Sequence, residues 1–495
     1  MLPKLSCIVF FRQIYDEGLA QASYVIGDEA TGEALVVDPR RDIDVYTDLA
    51  AGHDQRIVAV AETHIHADYL SGGRELAAAV GAPLHVSGHG DTKLGYLAEQ
   101  EGVRTKLVRN GDLIRVGKIR VRVQHTPGHT PEHICFEIFD DEKKPQPMLL
   151  LSGDFFFVGD LGRPDLIEET LGAVGTARTS AHVMFASLRS ALADLPDYIQ
   201  IWPAHGAGSA CGKALGAVPS TTLGYERRFS WWSAFAESGN EGGFVDTLLE
   251  GQPDAPTYFA RMKHLNRGYS RLLGRLPDPP RLTAPVLRAA LSDGATLIDT
   301  RTRGEFSTLH IEGSISVPDQ PSFSTRAGWF VSPDQPIVLL AKLERVGMLV
   351  RALVRVGLDN IAGYITDFRT AHLPTASLVG VGLDEAQRRW SSAEAVVLDV
   401  RQLSEFTEAH IPGATHVSSS RLRSKIADVP KNKPLLVMCL QGDRSVSAAS
   451  VLSALGFKDV ATVPEGFGEW LARGLPIESG DASTPRETPR AKDTR

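Results

Sequence analysis

The sequence has no apolar stretch of 18 or more residues, so no segment is long enough to span a bilayer as a helix. It also lacks a dense cluster of Lys or Arg, and its 52 basic and 60 acidic residues give a net charge of −8. Nucleic-acid binding proteins need a basic patch to hold the phosphate backbone. The composition therefore predicts a globular protein with neither a membrane nor a nucleic acid as partner.

Cysteine is scarce, which excludes a disulfide framework and any CxxC redox or zinc pair. The four cysteines are Cys7, Cys135, Cys211 and Cys439. We expect them to be reduced thiols. The apolar run at residues 5–11 is followed by Arg12 and has no small-residue cleavage site, so it predicts a strand rather than a secretory signal. The expected location is the cytoplasm.

An internal repeat occupies the second half of the chain. DTRTRGEFSTLHIEG at residues 299–313 matches DVRQLSEFTEAHIPG at residues 399–413, at an offset of 100. Each copy continues into a Pro-led apolar strand, from Pro336 or Pro434, and then into a helix-like segment that ends at a glycine. The repeat predicts two related α/β domains.

The length of 495 residues is typical of about three domains. The prolines of LPDPPRLTAP, and a C-terminal segment with almost no apolar residue, indicate a linker and a disordered tail. The predicted division is 1–267 for a first domain, 268–285 for the linker, 286–378 and 379–478 for the repeated domains, and 479–495 for the tail.

In the first half, short apolar strands end in histidine or aspartate, the residue types that bind metals. One loop, THIHAD, lies between a strand and a predicted helix, and three other strand ends supply PGHT, SGD and PAHG. One histidine alone is often only a satisfied polar residue, but six such side chains together predict a metal site. The candidates are His64, His66, Asp68, His129, Asp154 and His205.

This order of motifs resembles the metallo-β-lactamase superfamily over roughly residues 1 to 235, which implies an αββα sandwich. In the two-metal members, such as glyoxalase II thioesterases, the first motif is H-x-H-x-D-H and its last histidine binds the second metal. This chain has Tyr69 there. The change weakens the second metal position, although Asp68 and His205 remain, and a single metal is expected.

With GRPD at residues 162–165, the pattern is similar to the persulfide dioxygenase branch of that superfamily. The resemblance implies one Fe(II) per chain on His64, His129 and Asp154, a two-histidine, one-carboxylate set. His66, Asp68 and His205 would then orient ligands and bound water from the second shell. A tetrahedral Zn site that includes His66 is the alternative.

Several further side chains are candidates for substrate binding. Arg163 would neutralise an anionic substrate, but an ion pair with Asp160 or Asp165 is an equally good interpretation. Cys211 lies six residues after His205 and either contacts a persulfide sulfur or is an inert small residue. The full set of candidates is Tyr69, Arg163, Cys211 and Gln441.

In the last domain, Cys439 ends an apolar strand and begins the loop CLQGDR ahead of a predicted helix. Backbone amides, the helix dipole and Arg444 would favour a nucleophilic thiolate there. The motifs DVR, EF, HIPGA and the six-residue C-x4-R loop resemble the rhodanese family of sulfurtransferases. The resemblance implies that Cys439, with Arg444, carries and transfers sulfane sulfur; a buried structural cysteine is the alternative.

The middle copy has Ala341 where the repeat predicts the cysteine, and its loop reads AKLERV. It is therefore predicted to be a degenerate rhodanese that serves as a spacer, an interface or a wall of a substrate channel. Since the middle copy lacks a nucleophile, the residues that both copies share are expected to hold the fold. They are Asp299, Arg301 and His310, with Asp399, Arg401 and His410.

Together the resemblances imply an α/β multidomain enzyme of sulfide detoxification. Its metal domain would oxidise a low-molecular-weight thiol persulfide with O2 to sulfite and thiol, and Cys439 would form or use thiosulfate. A glyoxalase II-like two-metal thioester hydrolase is the first alternative, and a sulfur carrier or sensor with an inert metal domain is the second. The sequence leaves open the identity of the thiol, the direction of sulfur transfer and whether the protein is a homo-oligomer.

Overall fold

The computed structural model describes residues 9–90, 93–140, 145–172, 174–369 and 372–480. Cys7 and residues 481–495 of the predicted tail lie outside the described residues. The chain divides into two compact units. Unit 1 comprises Met1–Pro279, Gln320–Gly328 and Glu344–Ile361; unit 2 comprises Pro280–Asp319, Trp329–Leu343 and Ala362–Arg495.

The described residues of unit 1 form two sheets. The strands of the first sheet, in spatial order, are β1 (Val9–Asp16), β2 (Gln21–Asp28), β3 (Glu33–Val37), β4 (Arg56–Ala61), β5 (Leu84–Ser87) and β6 (Thr105–Val108). Those of the second are β7 (Leu113–Val116), β8 (Ile119–His125), β9 (Ile134–Phe139), β10 (Leu149–Gly153), β11 (Gln200–Pro203) and β12 (Thr221–Thr222). Strands β3 to β6 are parallel, as is the pair β10 and β11.

Helices cover the outer faces of both sheets in unit 1. They include α1 (Asp44–Gly52), α2 (Gly73–Val80), α3 (Leu166–Leu171), α4 (Thr176–Ala191), α5 (Leu223–Phe229), α6 (Ser233–Ser238), α7 (Glu241–Leu249) and α8 (Phe259–His264). Tyr24 and Phe136 pack between the sheets, Tyr46 of α1 packs outside the first, and Met184 of α4 packs outside the second. Strand β2 is buried along its whole length because both of its faces are covered. The result is the predicted αββα sandwich.

Beyond residue 280 the chain forms short, mostly parallel sheets, with helices between the strands in sequence. The strands are β13 (Thr296–Asp299), β14 (His310–Ile311), β15 (Ile315–Ser316), β16 (Ile337–Leu340), β17 (Ile361–Ile365), β18 (Thr375–Ala376), β19 (Val379–Gly380), β20 (Val396–Asp399), β21 (Thr415–His416), β22 (Leu435–Met438) and β23 (Val460–Thr462). The helices are α9 (Ala284–Ser292), α10 (Arg303–Thr308), α11 (Phe323–Phe330), α12 (Val346–Val354), α13 (Leu383–Ser391), α14 (Leu403–Glu408), α15 (Asp443–Ala454) and α16 (Gly466–Ala472). The sheet orders are β15-β13-β16-β17 and β19-β23-β22-β20-β21, and β14 pairs with β18 in an antiparallel two-stranded sheet.

The internal repeat is visible in the bonds of unit 2. In the first copy Arg301 binds Asp299 through two nitrogens, and His310 bonds the carbonyl oxygen of Phe306 at 2.8 Å. In the second copy, the same bonds join Arg401 to Asp399 and His410 to Phe406. Because both copies make these bonds and only one has the cysteine, the bonds serve the fold.

The segment predicted as a linker is partly ordered by contacts within unit 1. The backbone amides of Leu273 and Gly274 donate to the buried carboxylate of Glu75. Helix α9 begins at Ala284, inside the predicted linker, because Pro285 lies in its first turn, where a helix needs no backbone donor. The other boundaries between the predicted domains remain predictions from the sequence.

Ion pairs attach α12 and the residues after it to the rest of unit 1. Arg355 binds the buried carboxylates of Asp42 and Asp16, whereas Arg351 pairs mainly with the exposed Asp44 and lies 3.6 Å from Asp42. An exposed pair contributes about 0.2–1 kcal/mol, but removing one partner of a buried pair costs about 3–5 kcal/mol. The Arg355 pairs therefore determine how firmly this segment is held.

In the described part of the chain, no helix has both the length and the apolar composition required to cross a membrane.

Candidate functional site

The sandwich places the candidate metal ligands at one end of its strands. His64 follows β4, His129 follows β8, Asp154 follows β10 and His205 follows β11. Parallel or adjacent strands that end at the same edge bring such side chains together. All four side chains are buried.

His64, His129 and Asp154 form one cluster, in which potential ligand atoms lie within 4.8 Å of one another. The Nε2 atom of His64 is 3.7 Å from Oδ2 of Asp154, and Nε2 of His129 is 3.5 Å from the same oxygen. These separations are longer than hydrogen bonds and leave space between the three groups for an ion. The structure thus brings together the three residues predicted as ligands.

Hydrogen bonds fix the ring tautomers of both histidines. The Nδ1 atom of His129 lies 3.0 Å from the carbonyl oxygen of Arg163, which can only accept a proton. The Nδ1 atom of His64 lies 3.0 Å from the hydroxyl of Thr63, whose own hydrogen is donated to Asp38. Both rings therefore carry their proton on Nδ1 and direct an Nε2 lone pair towards Asp154, as metal ligands do.

The protonation states of the cluster also suit a cation. Both carboxylate oxygens of Asp154 are buried and have no hydrogen-bond partner among the described residues. Burial raises the pKa of Asp154 to about 6 and lowers the pKa of His64 and His129 well below the usual value. Two neutral imidazoles and an unpaired carboxylate are the ligand chemistry of a divalent metal, so the residues fit the group that the fold implies.

A second buried group consists of Asp68, His205 and Cys211. Nε2 of His205 is 3.4 Å from Asp68 and 3.5 Å from Asp154, and its Nδ1 is 3.0 Å from the carbonyl oxygen of Ala20. Among the described residues, neither the Asp68 carboxylate nor this Nε2 has a hydrogen-bond partner. Burial raises the pKa of Cys211 well above its usual value, so Cys211 is a thiol rather than a thiolate.

His66 and Tyr69 point into a separate cluster with Asp38 and Glu62. Nε2 of His66 lies 3.1 Å from Asp38 and 3.3 Å from Glu62, while its Nδ1 is buried with no partner in the described chain. The Tyr69 hydroxyl donates to the carbonyl oxygen of Asp38 at 3.2 Å, and its ring packs on His66. The Tyr69 hydroxyl is thus hydrogen-bonded within the protein, and Nδ1 of His66 stays available to a further partner.

Arg163 forms an ion pair with Asp165, one of the two interpretations that the sequence offers for this residue. Two guanidinium nitrogens bind the Asp165 carboxylate at 2.8 and 2.5 Å, and a third bonds the carbonyl oxygen of Ala210. The carbonyl oxygen of Arg163 accepts the hydrogen bond from Nδ1 of His129. Asp160 instead accepts from the backbone of Lys213.

A cavity of about 90 Å³ is lined in part by residues that neighbour the metal ligands in sequence, and sequence reasoning missed the residues that line it. Ile65 follows His64, and Glu132 lies three residues after His129. The other charged or polar lining residues include Lys263, His264 and Arg267, from α8 and the turn after it. Burial lowers the pKa of Lys263, and its charge lowers the pKa of both His64 and His129. Nothing in the local pattern of the sequence connects residues 200 positions apart.

In unit 2, Cys439 follows β22 and is buried at the start of the predicted loop. Helix α15 begins at Asp443, and Arg444 in its first turn binds the carboxylate of Glu405 at 2.7 and 2.8 Å. Gln441 is exposed, and its carbonyl oxygen accepts from Arg303. The fold thus places the thiol close to the N-terminus of α15.

Gly442 explains why this loop cannot form in the middle copy. Its φ is +75°, and a Cβ atom there would lie 2.3 Å from the carbonyl oxygen of Pro464. When the Pro-led strands of the two copies are aligned, so that the buried Ala341 matches Cys439, Glu344 is at the position of Gly442. A side chain at that position is incompatible with the tight loop, so the middle copy lacks both the nucleophile and its cradle.

Comparison with known proteins agrees with this architecture. The family model "Metallo-beta-lactamase superfamily" matches residues 16–205, and "Rhodanese-like domain" matches residues 283–370 and 382–473. A crystal structure of a metallo-beta-lactamase from Staphylococcus aureus is 41% identical, with a TM-score of 0.63, and the match covers 72% of this chain and 98% of that one.

Two curated relatives differ in their activity. A hydroxyacylglutathione hydrolase from Polaromonas is 29% identical over 49% of this chain and 93% of its own length. The human mitochondrial persulfide dioxygenase ETHE1 is 25% identical over 40% of this chain and 68% of its own length. The chain therefore belongs to the metallo-β-lactamase superfamily of enzymes and carries two rhodanese-like domains, which confirms the predicted fold class.

Proposed function

We propose that this chain is an iron-dependent persulfide dioxygenase with a sulfurtransferase domain. The observation that carries the proposal is the buried cluster of His64, His129 and Asp154, in which two neutral imidazoles direct unprotonated Nε2 atoms towards a carboxylate that has no hydrogen-bond partner among the described residues. This ligand set suits Fe(II), with open positions. The similarity to human persulfide dioxygenase supports the choice of chemistry.

The overall reaction is R–S–SH + O2 + H2O → R–SH + SO3²⁻ + 2 H⁺. A bound Fe(II) would supply the redox chemistry for the oxidation of the terminal sulfur. His64, His129 and Asp154 would hold it, and the burial of all three excludes bulk water. Lys263 and Arg267, which line the cavity of about 90 Å³, would bind an anionic group of the thiol carrier.

Cys439 would complete the sequence of reactions. Its thiolate attacks the terminal sulfur of R–S–SH, which forms a Cys439 persulfide and releases R–S⁻. Sulfite then takes that sulfur and gives thiosulfate and the free Cys439 thiol. Transfer in the reverse direction, from thiosulfate to a thiol, uses the same residues.

Lys263→Met tests the binding role of the cavity. We expect the KM for glutathione persulfide to rise about 10-fold, since a charge-assisted hydrogen bond is lost. The KM for an uncharged carrier, 2-hydroxyethyl persulfide, should stay the same. Lys106→Met, at an exposed position on β6, is the matched control. Equal losses for both persulfides would contradict a role in recognising charge.

A two-metal thioester hydrolase is the second candidate, favoured by the unpaired Asp68 carboxylate and Nε2 of His205. Tyr69→His tests it by adding the ligand found in two-metal members. We expect one metal per chain for the unmodified protein and a second Zn²⁺ only in the variant, measured by elemental analysis. Two metals per unmodified chain, with thioester cleavage, would favour the hydrolase.

A further inference from the structure

The loop that carries His64 and Asp68, residues 64–72, is held through its backbone by distant residues. The hydroxyl of Tyr258 donates to the carbonyl oxygen of Asp68 at 2.8 Å. The buried amide of Asn266 donates to the carbonyl oxygens of His66 and Tyr69, each at 2.8 Å. The shape of this loop therefore depends on the segment at residues 258–266.

One further backbone group of the loop has its partner much later in the chain. The amide of Leu70 donates to the carbonyl oxygen of Arg355 at 2.7 Å. The Arg355 side chain fixes the position of that carbonyl, because its guanidinium binds Asp42 at 2.8 and 2.5 Å and Asp16 at 2.6 Å. Both carboxylates are buried, so the contact has one well-defined geometry.

The residues immediately after Arg355 contact α8, which carries Lys263. The carbonyl oxygen of Gly357 accepts from Arg261 at 2.8 Å. A Cβ atom at Gly357 would lie 2.9 Å from Arg261 and 3.1 Å from Met262. Asp359 binds Arg41 through both of its oxygens at 2.6 Å.

We propose that three residues position α8 and the loop at residues 64–72, which we term the metal loop. These residues are Arg355, Gly357 and Asp359, which we term the brace. The brace lies within the first rhodanese match at residues 283–370, yet it belongs to the same compact unit as the metal cluster. The copy that lacks the cysteine thus contributes positioning residues to the metal centre. The inference rests on the proposed metal role of His64, His129 and Asp154.

The physical link is the charge on Arg355. Without it, Asp42 and Asp16 become buried carboxylates that lack their principal partner, which is strongly unfavourable. The segment must then shift to admit water, and the carbonyl oxygen that holds Leu70 shifts with it. Outer groups that orient metal ligands typically change metal affinity by about 10- to 100-fold.

Arg355→Met in the full chain, titrated with Co²⁺, tests the brace. We expect Co²⁺ to bind about 10-fold more weakly, with a changed visible absorption spectrum that reports altered ligand geometry. Arg355→Lys keeps the charge but not the forked contact, so its affinity should lie between those of Arg355→Met and the unmodified chain. Sulfur transfer by Cys439 should be the same in all of these proteins.

Arg351→Met is the matched control, because Arg351 lies on α12, pairs mainly with the exposed Asp44, and approaches the buried Asp42 only at 3.6 Å, against 2.5 Å for Arg355. Its Co²⁺ affinity and spectrum should equal those of the unmodified chain. If Arg355→Met does not fold, Gly357→Ala replaces it: all charges remain, but the φ of +70° at Gly357 strains an alanine, and its methyl group displaces the side-chain ends of Arg261 and Met262. We expect it too to weaken Co²⁺ binding and change the spectrum.

Unchanged Co²⁺ affinity and spectrum in Arg355→Met, or in Gly357→Ala if that variant takes its place, would overturn the inference. Equal losses in Arg351→Met and Arg355→Met would also overturn it, because they would show a general effect on stability. If the Fe(II) form of the unmodified chain does not oxidise persulfides, the proposed function fails, whereas weaker Co²⁺ binding by Arg355→Met with a changed spectrum still supports the brace.

Discussion

Asp154→Asn is expected to abolish both metal retention and persulfide-dependent oxygen uptake. The unpaired carboxylate is the only anionic member of its cluster, and an amide neither balances the charge of a divalent ion nor binds it strongly. We expect metal affinity to fall by more than about 100-fold, beyond the range for outer groups. Metal content and oxygen consumption are measured on the same sample.

The control for this variant is His125→Gln. His125 lies four residues before His129 but outside the cluster, where it packs on His89 and bonds the carbonyl oxygen of Pro131. It should retain metal and activity. Sulfur transfer by Cys439 should remain in Asp154→Asn as well. Full oxygen uptake by Asp154→Asn would show that the metal, if any, is held elsewhere.

Cys439→Ser is expected to remove sulfur transfer from thiosulfate to a thiol and to leave oxygen uptake intact. Serine keeps the size of the side chain but cannot form a persulfide, so the rate should fall by at least about a thousand-fold. The two assays on one preparation report on the two sites separately. Loss of both activities in this variant would contradict independent chemistry.

Ala341→Cys in the Cys439→Ser background extends this test. The new thiol would lie directly after β16, but the loop that follows has Glu344 in place of the glycine that Gly442 supplies. We therefore expect no recovery of sulfur transfer. Recovery would mean that the loop is not needed and that the middle copy lost only its nucleophile.

The metal ligands could be predicted because the relevant signal is local. Each apolar strand is followed within a few residues by its histidine or aspartate, so the end of β10 and the start of the next loop identify Asp154 without a structure. The same holds for Cys439 between β22 and α15. Strand ends at one edge of a sheet then bring such residues together.

Other parts of the site could not be predicted, because their partners are far apart in sequence. Asn266 contacts the metal loop across about 200 positions and Arg355 across 285, in segments whose composition is ordinary. The sequence also does not show in which direction a side chain points. His66 lies in the same motif as His64, yet its ring contacts Asp38 and Glu62. Only the folded chain shows which carboxylates are near enough to bind each ring.

Oxygen consumption by the Fe(II)-loaded chain, given glutathione persulfide, tests the central claim most directly. Bound metal is quantified on the same sample, and the Zn-loaded chain serves as the control. We predict uptake with about one iron per chain, sulfite as the product, and no uptake with Zn. No uptake with glutathione, coenzyme A or inorganic persulfide, together with two Zn ions per chain and cleavage of a glutathione thioester, would contradict it.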